Sequence, residues 1–200
     1  NIHYYVGVDG IGIVMVLMAA LVAFAATCCA QEIRTREKEF YILLLLMTGG
    51  ILGAFMSLDI FLIYFLHELA LVPTFIMIGV WGRGQDKDFA AYKITLYLSL
   101  GALLTLAGVI MLYLQFGTFS LLSMMDHATQ FAGTEAGAFS ATEQNVIFAL
   151  LMFGLGILVG LWPFHTWAPR GYSAAPTATA MMHAGVIKKF GLFMLIKVCL

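Results

Sequence analysis

Several ionisable residues stand where the surrounding sequence is apolar. Glu68 lies in IYFLHELALVPTF, far from any run of polar residues. A carboxylate there is too short to snorkel to a headgroup and needs a partner or water. Desolvation favours its neutral, proton-bearing form, and a nearby lysine favours the ionised form. A lysine that approaches and withdraws would therefore make Glu68 take up and release a proton. The competing reading is a carboxylate that only fastens helices together through a buried salt bridge. Pro73, five residues on, removes the partner of the Leu69 carbonyl and bends the helix beside the acid. His67 is adjacent, about 100° round a helix from Glu68, so the two side chains should not face one partner. It reads equally as an auxiliary proton carrier or as a core histidine held by one hydrogen bond.

The second group is in MMHAGVIKKFGLFMLIK. Lys188 and Lys189 follow Pro176 by about 12 residues, roughly 18 Å of helix, which places them near mid-membrane. Two adjacent buried ammonium groups disfavour each other's charged forms, so one of them should exchange protons readily. Lys197 is about 12 Å further along the same helix. That spacing suits a relay through water and equally suits snorkelling to the far interface. His183 has no His, Cys or carboxylate at i+3 or i+4, and His165 follows Pro163, so both read as proton relay or hydrogen-bonding groups rather than metal ligands. Lys93 and Asp59 lie near the starts of apolar segments, where solvation is the simpler expectation.

These residues need elements to hold them. The chain is 62% hydrophobic and 10% charged with a mean hydropathy of +0.96, which puts it outside the range of soluble domains. The net charge of -1 and the lack of a basic stripe argue against a nucleic-acid surface. Cys28, Cys29 and Cys199 sit in apolar runs without metal or disulfide spacing and read as small buried side chains. A spanning helix takes about 20 apolar residues. Six stretches qualify, at 10–30, 40–57, 59–81, 90–116, 145–162 and 176–200, and all 200 residues form one membrane domain. The chain starts without a signal-type leader and stops inside an apolar run, so it reads as a fragment of a longer protein.

The basic loop residues are Arg34, Arg36 and Lys38, then Arg83 and Lys87, then Arg170, in alternate loops. The loop at 117–144 has no Lys or Arg. One topology satisfies every loop, with the first helix entering from outside and the basic loops cytoplasmic. The fifth segment runs into LWPFHTWAPRGYSAAPT, where Pro163 and Pro169 disfavour helix. It is either a helix broken at membrane depth, as at ion sites in transporters, or a helix followed by a loop over 160–175. The expected fold is an all-α integral membrane protein, a polytopic transmembrane helix bundle with a broken helix. No phosphate loop, nucleophile elbow, haem ligand pair or iron–sulfur cysteine cluster is present, so transport is favoured over chemistry on a bound substrate.

The motifs VDG at 8–10, the run from Asp59 to Glu68 continuing ELALVP and ending IGVWG, AYKITLY around Lys93, PFHTWAP, APTA and AGVIKK are specific only together. Over the whole chain they resemble the antiporter-like subunits of respiratory complex I, in particular the subunit M (chain 4) family of NADH-quinone oxidoreductase. The resemblance implies the antiporter-like fold and places the stretch at the third to eighth of about fourteen helices. It assigns the functional glutamate of the fifth helix to Glu68 and the lysine of the eighth to Lys189. It also aligns Lys93 and Lys197 with basic family positions. It implies proton translocation, partners among the other membrane subunits including neighbouring antiporter-like ones, and a bacterial inner-membrane location. NADH, FMN, iron–sulfur clusters and quinone would belong to other subunits.

Two positions depart from the pattern. Leu158 stands where the family has a lysine that pairs with the glutamate, and WAPRGY replaces WLPDAH, putting Arg170 in place of an acid. The expectation is that Lys188 compensates by reaching toward Glu68. A subunit of a multi-subunit sodium/proton antiporter, a membrane arm of an energy-converting hydrogenase and a non-pumping structural subunit are the alternatives.

Overall fold

The computed structural model describes residues 2, 4–130 and 140–199. Nine α-helices are present among them: α1 Gly10–Cys29, α2 Glu37–Met56, α3 Ile60–Trp81, α4 Lys87–Phe116, α5 Leu121–Gln130, α6 Ala141–Val159, α7 Trp167–Ala174, α8 Thr177–Met182 and α9 Lys188–Cys199. A π-helical segment, His183–Ile187, joins α8 to α9. Six helical spans are long and apolar enough to cross a membrane, with α6 and α7 counted in one span and α8 to α9 in another. The far end of the last expected helix, Leu200, and positions 131–139 of the long polar loop lie outside the described residues.

Helix ends differ from the hydropathy reading for a common reason. Hydropathy finds the lipid-buried part of a helix, whereas caps and first turns are polar. Thus α2 starts at Glu37 rather than 40 and α4 at Lys87 rather than 90. Helix α6 starts at Ala141 rather than 145, behind a capping box in which Ser140 and Glu143 satisfy each other's backbone N–H groups. It stops at Val159 because Gly160 takes a left-handed conformation (φ 75°). The stretch 160–175 is not a plain loop: after a short turn at Phe164–Thr166 it forms α7. Pro169 is tolerated in the first turn of α7, where its missing N–H has no partner to lose. Helix α5 was hidden by its polar residues, yet Leu121 and Met124 are buried.

The loops sort onto two ends. At one, Gly7 N–H donates to Met56 O (2.8 Å), Ile60 N–H to Phe119 O (2.9 Å) and Leu121 N–H to Leu58 O (2.9 Å). At the other, the Trp81 indole donates to Thr35 O (2.7 Å) and Arg83 N–H to Ala174 O (2.7 Å). There Glu32 pairs with Arg83 and accepts the Thr177 N–H at 3.0 Å, capping α8. All three basic loops are at this second end.

Small residues set the helix crossings, as expected where lipid removes the hydrophobic drive between helices. A Cβ on Gly154 of α6 would fall 2.7 Å from Thr105 N and 2.8 Å from Gly101 O of α4. Gly154→Ala in the full-length protein is expected to force these backbones apart and cost about 1–3 kcal/mol. Thermal unfolding in detergent checks this, and a change under about 0.5 kcal/mol would show that the crossing is not tight. Outward positions such as Leu17, Leu21 and Phe24 of α1 are exposed apolar side chains suited to lipid. Cys28 and Cys29 are also exposed, not buried, because α1 packs through its alanines Ala19, Ala23 and Ala26.

Candidate functional site

Helix α3 is anchored by Asp59, whose carboxylate accepts the Leu62 N–H at 3.0 Å. Asp59 is fully buried rather than solvated, because the loop carrying Ser120 pairs with it through an isolated bridge. Glu68 follows Ile60 by two turns, about 12 Å along the helix. Its Oε1 lies 3.2 Å from His67 Nδ1. The two neighbours therefore pair with each other, since the flexible glutamate folds back across the 100° between them. His67 is 3% exposed and its ring stacks on Phe190 of α9 at 4.1 Å.

Glu68 sits between two spaces. The inner one is lined by Tyr64, His67, Thr105, Leu158 and Phe190, and its volume of about 10 Å³ is room for one water at most. The lateral one, between α3 and α4, is about 150 Å³ and offers Thr74, Thr95 and Ser99. The lateral space is thus the roomier of the two, with three hydroxyls set among mostly apolar side chains.

Lys188 turns inward at the break in α6. Its Nζ lies over the rings of Trp167 and Tyr172, 5.9 Å from each centroid, and 3.3 Å from where a Gly160 Cβ would be. Among the described residues it makes no ion pair, and Glu68 is bonded to His67 instead, so the expected reach of Lys188 to Glu68 is not made. Lys189, expected to be buried, is exposed on the flank of α9 with its Nζ 3.2 Å from Met18 Sδ of α1. The π-helical segment decides this. Its i→i+5 bonding fits an extra residue into the turn and offsets everything after it by about 100°.

Lys197 does not snorkel into open solvent. Its side chain is 8% exposed, lies over Phe193 and pairs with Asp9 at 3.3 Å. Asp9 also caps α1 by accepting the Gly12 N–H at 2.7 Å. Partial burial raises the Asp9 pKa, but the Gly12 N–H and the Lys197 charge outweigh it and hold the carboxyl below its usual value.

His183 is 1% exposed within the π-helical segment, with Nδ1 3.3 Å from the Tyr172 hydroxyl and Trp167 edge-on at 5.7 Å. His165 is exposed on the turn after α6. The next residue, Thr166, donates to the Tyr97 hydroxyl at 3.1 Å, and Lys93, partly buried, lies 5.8 Å from the centre of the same tyrosine ring. The structure thus brings Glu68 and His67 together and His183 and Lys188 round Trp167 and Tyr172. It leaves His165 on the turn after α6 next to Gly160 and Lys188, Lys93 near the start of α4, Lys197 at the end opposite the basic loops and Lys189 outside.

Sequence reasoning overlooked Tyr172, Trp167, Thr179 and the pairing of Asp9. Only the position of Asp9 before an apolar run, as a helix cap, carried a signal.

These features define a polytopic membrane helix bundle that holds ionisable groups at mid-depth beside a broken helix. The chain belongs to the NADH:quinone oxidoreductase/Mrp antiporter transmembrane family, whose model matches residues 57–200. It is 32% identical over 194 residues to NADH-quinone oxidoreductase subunit M of Rhodobacter capsulatus, covering 96% of this chain and 38% of that one. Its fold matches a chain of respiratory complex I from Thermus thermophilus with bound NADH at a TM-score of 0.81 and 26% identity, over 96% of this chain and 38% of the other. It also matches, in fold alone, a chain of the membrane-bound sulfane sulfur reductase, an archaeal respiratory membrane complex, at a TM-score of 0.77 and 21% identity, over 97% and 30%. The chain spans little more than a third of the length of the curated relatives it matches.

Proposed function

We propose that this chain is the part of a membrane subunit of NADH:quinone oxidoreductase that moves protons. The observation that carries the reading is Glu68, a mid-helix carboxylate bonded to a buried histidine and open on one side to a groove that carries the hydroxyls of Thr74, Thr95 and Ser99 among apolar side chains. Glu68 takes a proton from the lateral groove. Lys188 and His183 hold it at the break in α6. Lys189, on the outer flank of α9, passes it to groups beyond this stretch. Lys197 with Asp9 shapes the field at one end, Lys93 serves uptake near the basic end, and His165 relays at the turn after α6. That end faces the cytoplasm of a bacterial inner membrane. The partners are the other membrane subunits of the complex, and NADH, FMN, iron–sulfur clusters and quinone are held by other subunits.

The family description also names Mrp antiporters, which supports sodium/proton exchange as a second reading. Inverted membrane vesicles carrying the full-length subunit in its complex separate the two. NADH-driven acidification of the vesicle interior is expected to persist without sodium and to collapse with a protonophore. Acidification that requires sodium would overturn proton pumping in favour of exchange.

A further inference from the structure

One face of α4 carries Phe89, Lys93, Tyr97, Leu100 and Leu104, whose spacing keeps all five within about 80° of one another round the helix. Helix α7 and the turn before it pack against the first half of this stripe. Arg170 of α7 holds its guanidinium over Phe89, 5.4 Å from the ring centre. Thr166 donates to the Tyr97 hydroxyl at 3.1 Å, and that hydroxyl keeps its own proton to donate. Neither Arg170 nor Lys93 has an ion-pair partner among the described residues. Beside Arg170 a cavity of about 510 Å³ opens between the α3–α4 loop and α7. Ser173 and Asp86 line it, as does Arg83, whose charge is already taken up by Glu32. Two free cations against the single acid Asp86 leave one unit of positive charge, the complement of a phosphodiester without an ammonium group.

Further along the same face the chemistry changes. About 16 Å from Phe89, Leu100 and Leu104 join Val146, Phe153 and Phe164 in a groove of about 340 Å³ between α4 and α6, with no charged side chain in its lining. Leu100 and Phe153 are more than half exposed, which suits hydrocarbon and not water. From loop to groove the flank therefore presents cation, hydroxyl and hydrocarbon in sequence. A phospholipid carries phosphate, ester carbonyl and acyl chain in the same order, and basic pockets between helices on the cytoplasmic side bind anionic headgroups. A neighbouring apolar helix would fill the groove but give the two cations no partner.

We propose that this flank binds an anionic phospholipid of the leaflet on the basic side, with its phosphate on Arg170 and Lys93, an ester carbonyl on the Tyr97 hydroxyl and an acyl chain in the α4–α6 groove. Arg170 sets the selectivity. It stands where the family resemblance implies an acid, which would repel the phosphate, so the site belongs to this chain in particular. A glycerol headgroup also gives Asp86 hydroxyls from which to accept. The site does not depend on the proton-pumping reading.

The test uses the full-length subunit in its assembled complex, held in nanodiscs that contain phosphatidylglycerol with a diazirine in one acyl chain. After irradiation, labelled peptides are identified by mass spectrometry. Label is expected around Leu100, Leu104 and Phe153. Arg170→Gln should lower it about tenfold, whereas Arg170→Lys keeps the charge and should retain most of it. Phosphatidylethanolamine with the same diazirine should label the parent several-fold less, because its ammonium cancels the charge that Arg170 and Lys93 attract. Excess inorganic phosphate should leave the label unchanged, and its loss would assign the cations to a free anion and overturn the lipid site. Equal labelling by the two lipids, or of parent and Arg170→Gln, would overturn the headgroup contact. No label in the parent groove would show that other protein covers this flank and would overturn the lipid as occupant. Ala149→Trp, which fills the groove without changing charge, should remove the label whatever the headgroup. Label that persists there would overturn the position of the acyl chain. Arg170 is exposed, so its variants are expected to assemble and melt as the parent does.

Discussion

Replacing Glu68 by Gln is expected to cut proton translocation through this subunit at least tenfold while the fold survives. General acid–base groups contribute roughly 10²–10⁴-fold to proton transfers, and Glu68 is the one carboxylate of α3 that lies within the helix. Glutamine fills the same volume and still accepts a hydrogen bond from His67, so the 3.2 Å contact has a neutral replacement. The stack of His67 on Phe190 should therefore persist. What is lost is the exchangeable proton. The measurement is the ratio of protons moved to NADH oxidised in vesicles, with assembly followed in parallel. An unchanged ratio would leave Glu68 as a fastening group only. Loss of assembly together with loss of pumping would place its main contribution in packing.

The second large effect is expected at Leu158. Its side chain is 5% exposed and shares the inner cavity with Glu68 and His67. Leu158→Lys puts an ammonium group where the cavity of about 10 Å³ allows little water. With Glu68 present the charge has a carboxylate across the cavity. In the Glu68→Gln background it has none, and an uncompensated buried charge costs about 3–5 kcal/mol. Thermal unfolding of the four proteins of this cycle should thus give a large coupling between positions 68 and 158. Equal destabilisation by Leu158→Lys in both backgrounds would show that the two side chains do not meet. A stable Leu158→Lys protein also supplies a second proton-exchanging group beside Glu68, the arrangement the family resemblance implies.

Much of this was legible in the sequence because a bilayer imposes simple rules. Apolar runs of sufficient length located the six spans, and alternate basic loops grouped the ends that the structure brings together around Glu32, Arg83 and Thr177. Pro163 and Pro169 marked the interruption after α6 because proline disfavours helix before it, and the structure adds the left-handed Gly160 at which α6 stops, while Pro169 lies within α7. Glu68, His183 and the lysines stood out because charge in hydrocarbon is costly wherever it falls.

The pairing of those groups was another matter. Helical spacing fixes angles within one segment but not the contacts of long side chains, so it separated His67 from Glu68 although the two are bonded. It also gave Lys188 and Lys189 equal standing. The π-helical segment, whose extra residue shifts the register of α9, turned Lys188 toward Trp167 and Tyr172 and Lys189 outward to Met18. The sequence alone determined that this chain lies in a membrane and carries protonatable groups there, because transfer energies depend on residue type. The tertiary structure decided which of them meet, because that depends on helix register, on glycine-set crossings and on where each neighbouring helix leaves a polar atom without a partner.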